Sequence, residues 1–208
     1  MLAKSLPVQL LVSMAGIKVL FKALGPWNAV RVVTRVALAK ARGEPWPGEP
    51  SPTDPKEAGS RAQAGDAILV YRALLEVTSK HVALDVAKSV VLAGALSFLD
   101  RVLPRVDARR LEKAAPAVRD GVLSKLVDRF PNSDWRLVES TPERFRFHVI
   151  RCRLVELVVE AGHPELATAF CSGDLTYFEV RQPDVSLERP TTIAGGHARC
   201  DFTFRLAG

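Results

Sequence analysis

Residues 135–151 read Trp135-Arg-Leu-Val-Glu-Ser-Thr-Pro-Glu-Arg-Phe-Arg-Phe-His-Val-Ile-Arg151. Both halves alternate apolar with polar side chains, and Thr141-Pro142-Glu143 separates them. In the second half Phe145, Phe147 and Val149 fall on one face, while Arg144, Arg146 and His148 fall on the other. That period of two belongs to half-buried strands joined by a tight connection. The preceding sequence has the helical period instead. Helices first and strands later, without regular strand–helix alternation, predict an α+β fold: a helical layer followed by a mainly antiparallel sheet, with an N-terminal amphipathic helical arm.

Upstream, Asp66 is expected to cap a helix carrying Ile68, Leu69, Leu74, Leu75 and Val77. A longer apolar stretch from Val82 stops at Leu103, before Pro104. Its section Val86–Leu99 has Lys88 as its one charge and is expected to be the central buried helix. Asp107 opens a further segment through Val127, broken at Pro116 and ended by Pro131-Asn132. Downstream, Cys152 leads into a helix through Ala161, closed by Gly162. His163-Pro164-Glu165 restarts a helix expected to end near Gly173, and Thr191–Ala194 and Cys200–Leu206 read as strands.

Charge divides the 208 residues unevenly. Residues 1–43 hold seven basic side chains (Lys4, Lys18, Lys22, Arg31, Arg35, Lys40, Arg42) and no acidic one, so all of the +6 net charge lies there. The near-neutral remainder argues against nucleic acid as a partner. Two uses fit the basic amphipathic arm: peripheral contact with an anionic membrane, or capping of the body with the charges left in water, the commoner fate of such helices. Its apolar stretch is short and interrupted by Gln9, so signal cleavage is not expected. Residues 44–64 include Pro45, Pro47, Pro50, Pro52 and Pro55 and read as an extended linker. The expected organisation is therefore arm 1–43, linker 44–64 and an α+β catalytic-type domain over 65–208. A hydrophobic content of 48% with three cysteines suits a globular protein of a reducing compartment, and a cytoplasmic location is the expectation.

The residues with chemistry cluster late in the chain: Cys152, Cys171-Ser-Gly-Asp174, Arg189, then Thr191-Thr-Ile-Ala-Gly-Gly-His-Ala-Arg-Cys-Asp201. Three readings stand side by side. Cys200 or Cys171 is a nucleophile, its pKa lowered by His197, Arg199 or Arg189, with Asp174 or Asp201 accepting a proton. Alternatively Cys171, Asp174, His197 and Cys200 hold zinc, although no CxxC pair is present. In the third reading the thiols are buried packing groups. Arg189 offers a planar fork suited to a carboxylate, or else a surface ion pair with Glu188 or Asp184. Gly195-Gly196 suits a close backbone approach or a hairpin turn. His81, His148 and His163 read as surface, satisfied or turn residues.

Several stretches together resemble the L-2-amino-thiazoline-4-carboxylic acid hydrolase family: Phe147-His-Val-Ile-Arg-Cys152, Ala161-Gly-His-Pro-Glu-Leu166, Cys171-Ser-Gly-Asp174, Arg189-Pro-Thr-Thr-Ile-Ala-Gly-Gly196 and Cys200-Asp-Phe202. The resemblance spans about 60 residues and places Cys152, Cys171, Asp174, Arg189, Thr192, Gly196, Cys200 and Asp201 on family positions; His197 lies outside the pattern. It implies opening of a cyclic amidine such as a thiazoline to an N-carbamoyl cysteine, with a small-molecule substrate and neither cofactor nor metal. The expected roles are Cys200 as first and Cys171 as second nucleophile, Asp174 and Asp201 as carboxylates handling the amidine proton, and Arg189, Thr192 and Gly196 as substrate-binding residues, with His197, outside the pattern, added to them. Cys152 reads as packing. The alternative from another class is a non-enzymatic small-ligand-binding or membrane-surface protein with structural cysteines.

Overall fold

The computed structural model describes residues 7–130 and 132–206. The chain runs α1 (Val8–Ala41), α2 (Pro55–Leu75), α3 (Lys80–Val102), α4 (Ala108–Glu112), α5 (Pro116–Val127), β1 (Ser133–Ser140), β2 (Arg144–Cys152), α6 (Arg153–Glu160), α7 (Ala167–Arg181), β3 (Val185–Glu188) and β4 (Cys200–Leu206). Among the described residues, short 3-10 turns also lie at Pro164–Leu166 and Ile193–Gly195. The four strands form one antiparallel sheet in the order β1-β2-β4-β3, behind a helical layer, so the structure is α+β.

Two hydrophobic clusters hold these layers. The first joins the inner sheet face, with Phe145, Phe147, Val149, Phe202 and Phe204, to α5 and to Tyr177 and Phe178 of α7. The second lies among α1, α2, α3 and α6, around Ile68, Tyr71 and Leu74. Helices α3 and α7 enter both: α3 gives Ala83 and Val86 to the helical cluster and Leu99 to the sheet cluster, and α7 gives Ala167 to one and Phe178 to the other. The aromatic residues of the sheet are in direct contact, with the Phe147 and Phe202 rings stacked at 4.9 Å.

The N-terminal helix is part of this body. Leu20, Ala29 and Val32 are buried in the helical cluster. α1 approaches α3 through paired glycine notches, since a Cβ on Gly16 would stand 3.1 Å from Val90 and one on Gly94 would stand 3.2 Å from Val12. The helix kinks at Gly25, whose φ of 73° is a left-handed value that favours glycine, followed by Pro26.

Several expectations are corrected. The extended stretch ends at Asp54, because Asp54 accepts a hydrogen bond from Lys56 N–H and Pro55 opens α2; residues 55–64 are therefore helical. Asp66 is not a cap; it lies mid-helix and pairs with Lys40 at 2.5 Å. α3 is central in position, between α1, α2 and α7, but only Ala83, Val86, Ala87, Gly94 and Leu99 are buried. α7 continues past Gly173 to Arg181, since that glycine marks a close approach to α3 and not a stop. Thr191–Ala194 is a turn and not a strand; the edge beside β4 is taken by the four-residue β3. Asp107 does cap α4, and the chain breaks before Pro116 as expected, while Pro131 lies outside the described residues.

Candidate active site

At the seam between the two clusters lies a cavity of about 50 Å³. One wall is apolar sheet, including Phe147 and Phe202; the other comes from α6 and α7 through Val155 and Phe170. Cys152, Cys171, Asp174, Arg189 and Cys200 all reach it. They are brought there by four different positions in the fold. Cys171 and Asp174 share one face of α7 through their i,i+3 spacing. Between them Gly173 turns to α3, where a Cβ would stand only 2.7 Å from the Cβ of Ala95. Cys152 ends β2, Cys200 begins β4 with its side chain on the inner face, and Arg189 directly follows β3.

Arg189 is the organising cation. Its side chain is 4% exposed. Nη1 donates to Asp174 Oδ2 at 3.2 Å and Nη2 to the carbonyl of Cys171 at 2.6 Å. The guanidinium lies over the Phe202 ring, 5.2 Å from its centroid, which adds a cation–π contact. Its Nε is buried with no hydrogen-bond partner among the described residues. Of the two readings offered for Arg189, the pair with Glu188 or Asp184 is excluded, because Glu188 pairs with Arg205 and Arg189 turns inward to Asp174.

The electrostatics of the carboxylate and thiols follow from burial. Desolvation pushes Asp174 up to about 6, against the opposing attraction of Arg189. Its side chain keeps 23% exposure and faces the cavity. Cys171 is pushed up to about 12 by burial, which Arg189 offsets only in part. Burial also raises Cys152 and Cys200. On Cys200 the shift is opposed by the Ile193 N–H, which donates to Sγ at 3.2 Å.

Thr192 and Gly196 act through that turn and do not reach the cavity. The Thr192 hydroxyl accepts from Gly195 N–H at 3.0 Å, and Gly196 closes the turn at a φ of 87°, together holding the Ile193 N–H against Cys200. His197 is exposed beyond the turn. Among the described residues no three His, Cys, Asp or Glu side chains are arranged to hold a metal ion, so the set Cys171, Asp174, His197 and Cys200 is not gathered.

Asp201 is likewise not brought to the cavity. It follows Cys200 on the strand and so points to the opposite face. There Arg146 donates to it through Nε at 2.9 Å, and His148 stands 3.5 Å away. His163 is also structural: its Nε2 accepts from Arg72 Nε at 3.0 Å, while Tyr71 donates to Glu165, lacing α2 to the α6–α7 connection.

Three contributors escaped the sequence reading. Asn132 lines the cavity and its Nδ2 lies 3.8 Å from Cys152 Sγ. Phe202 lies under the guanidinium, and the Ile193 backbone N–H has no side-chain signature at all. The position of Phe202, two residues after Cys200 on a strand, was the available clue for its facing the same cavity.

A family model described as L-2-amino-thiazoline-4-carboxylic acid hydrolase matches residues 60–204, which contain every cavity residue named above. No curated protein and no solved structure matches the chain. The match covers more than two thirds of the sequence, reaches well upstream of the motifs to residue 60 in α2, and leaves α1 outside. The chain belongs to the L-2-amino-thiazoline-4-carboxylic acid hydrolase family.

Proposed function

We propose that this protein hydrolyses a small cyclic amidine, with L-2-amino-thiazoline-4-carboxylate as the first substrate to test, and that the chemistry takes place in the cavity of Cys171, Asp174, Arg189 and Cys200. The observation that carries this reading is the buried Arg189–Asp174 pair beside two thiols, a cation and an anion placed for a substrate that itself bears a carboxylate and an amidinium. Arg189 has hydrogens left on Nε and on both Nη atoms for a carboxylate. Asp174 can hold an amidinium and exchange a proton near neutrality.

In the thiol route Cys200 adds to the amidine carbon and gives its proton to Asp174. The ring carbon–sulfur bond breaks, and the ring sulfur leaves as a thiol after taking that proton. Water then adds to the enzyme-bound isothiourea carbon, Cys200 is expelled, and an N-carbamoyl cysteine remains. Cys200 is preferred over Cys171 because a backbone N–H supports its thiolate. A second route is favoured by the raised thiols: Asp174 activates water for direct addition to the same carbon, and the cysteines shape the cavity. The overall reaction, addition of one water across the bond, is identical.

Incubation with L-2-amino-thiazoline-4-carboxylate and product mass spectrometry tests the reading, with Cys200→Ala, Cys171→Ala and Asp174→Asn alongside. Loss of turnover in folded Cys200→Ala together with a trapped adduct on Cys200 of the wild type supports the thiol route. Turnover that survives both cysteine changes and fails in Asp174→Asn selects the water route. Stoichiometric binding without turnover points to the non-enzymatic ligand-binding alternative.

A further inference from the structure

We propose that the first half of α1 docks on an anionic bilayer surface, with the helix lying in the plane of the headgroups. Three separate sectors of this segment lead there. One sector is packed: Gly16 and Leu20 are buried, and Val12 fits against Gly94 of α3. A second carries Leu10, Met14, Ile17 and Phe21 at spacings of four, three and four residues, one continuous stripe about 16 Å long. Each of these four side chains is between 37% and 45% exposed. The third sector, on the flank of the stripe, carries Lys18 and Lys22, which are exposed and have no ion-pair partner among the described residues.

The charge pattern selects the occupant. No acidic residue occurs in positions 1–43, so nothing on the helix repels an anionic surface. After the kink two basic residues are tied to the body, Arg35 to Glu76 at the end of α2 and Lys40 to Asp66, while Arg31 stays exposed. In the first half, Lys18 and Lys22 stand next to the exposed apolar stripe, and no ion pair among the described residues holds them to the body. An apolar stripe with lysines beside it is the arrangement that lets rings and methyls enter the acyl boundary while the ammonium groups remain at the phosphates. A second copy of this chain would have to bury the same lysines against its own.

By length and composition α1 and α3 are each apolar enough to cross a bilayer. Lys18 and Lys22 in the middle of α1, the break at Gly25-Pro26 and the glycine-notched contact with α3 fit a helix lying on the surface instead.

The test uses the full chain and sedimentation with vesicles of phosphatidylcholine alone or of equal parts phosphatidylcholine and phosphatidylserine. Binding is expected to the mixed vesicles, and Lys18→Gln with Lys22→Gln is expected to weaken it about thirtyfold. Ile17→Asp with Phe21→Asp should abolish it, and unchanged circular dichroism and thermal midpoint would show an intact fold, since neither residue is on the packed sector. Failure of the wild type to bind mixed vesicles overturns the proposal, as does equal binding by the double aspartate variant. A concentration-dependent dimer removed by the same aspartates, without vesicle binding, overturns it in favour of self-association. None of these outcomes depends on the hydrolase reading, because turnover is a separate measurement on soluble protein.

Discussion

Replacing Gly173 by alanine would put a methyl carbon 2.7 Å from the Cβ of Ala95, about an ångström inside ordinary carbon–carbon contact. Both atoms sit on backbone and cannot rotate away, so α7 or α3 must shift. Overpacking of this kind costs about 1–3 kcal/mol. The better helix propensity of alanine returns up to about 1 kcal/mol, which leaves a net loss of about 1–2 kcal/mol. For a chain of this size that lowers the thermal midpoint by about 2–8 °C. The same shift moves the flanking Cys171 and Asp174 by a few tenths of an ångström against Arg189, whose contact with Asp174 is 3.2 Å, so turnover should fall about threefold to tenfold. Gly121→Ala is the paired control. Gly121 lies inside α5, where no atom of the described residues comes within 4 Å of the place a Cβ would take, so the same chemical change there should stabilise by about 0.5–1 kcal/mol. Thermal unfolding and turnover of both variants, and of Gly173→Ala combined with Ala95→Gly, complete the cycle. The double variant removes the clashing atom and should recover turnover. If Gly173→Ala is as stable and as active as the wild type, the close α3–α7 approach does not position the site.

If the ionised carboxylate of Asp174 is needed, the free-enzyme rate should rise with pH through about 6, and Asp174→Asn should lose that limb along with most turnover; the pH profile of kcat/KM reads both. The native state holds this proton more tightly than the unfolded chain does. Asp174 therefore makes folding less favourable as pH rises from about 4 to about 6, a slope that Asp174→Asn should remove from the pH-dependent unfolding free energy. Arg189→Met leaves Asp174 without its cation, and the Asp174-dependent limb should move to higher pH, with stability falling by roughly 3 kcal/mol. With every thiol raised above its ordinary value, alkylation of all three cysteines at neutral pH should be slow and Cys171 slowest, as peptide mapping of iodoacetamide-treated protein can establish. Asp201→Ala removes a partly exposed outer-face pair with Arg146, so the thermal midpoint should fall slightly while KM stays unchanged.

Periodicity made the order of the layers legible, because alternating Phe145, Phe147 and Val149 need one buried face and only a strand provides it. Cys200–Leu206 was legible for the same reason. The short β3 was not: four residues give two alternations, and its identity as a strand comes from pairing with β4. Gly173 shows how a local rule fails when tertiary contact decides, since glycine near a polar step usually ends a helix and here admits a neighbouring one. At the site, residue types pointed to Cys171, Asp174, Arg189 and Cys200, which do converge. Asp201 and His197 were drawn in by adjacency in sequence, whereas strand alternation and the exposed turn carry them away from the cavity. The Ile193 N–H could not be read from a side-chain alphabet.

The last strand is also the one inserted between its neighbours: β4 pairs with β2 on one side and β3 on the other. A chain emerging from the ribosome thus presents β2 as an open edge, with Phe145 and Phe147 uncovered by β4, until more than fifty further residues have been made. During that interval the segment is a template for pairing with another nascent chain. The outward arginines Arg144 and Arg146 put charge on that edge and act as gatekeepers against such pairing. Cys200 enters the cavity only when β4 closes the gap, so assembly of the site coincides with disappearance of the sticky edge, and an incomplete chain carries the hazard without the chemistry.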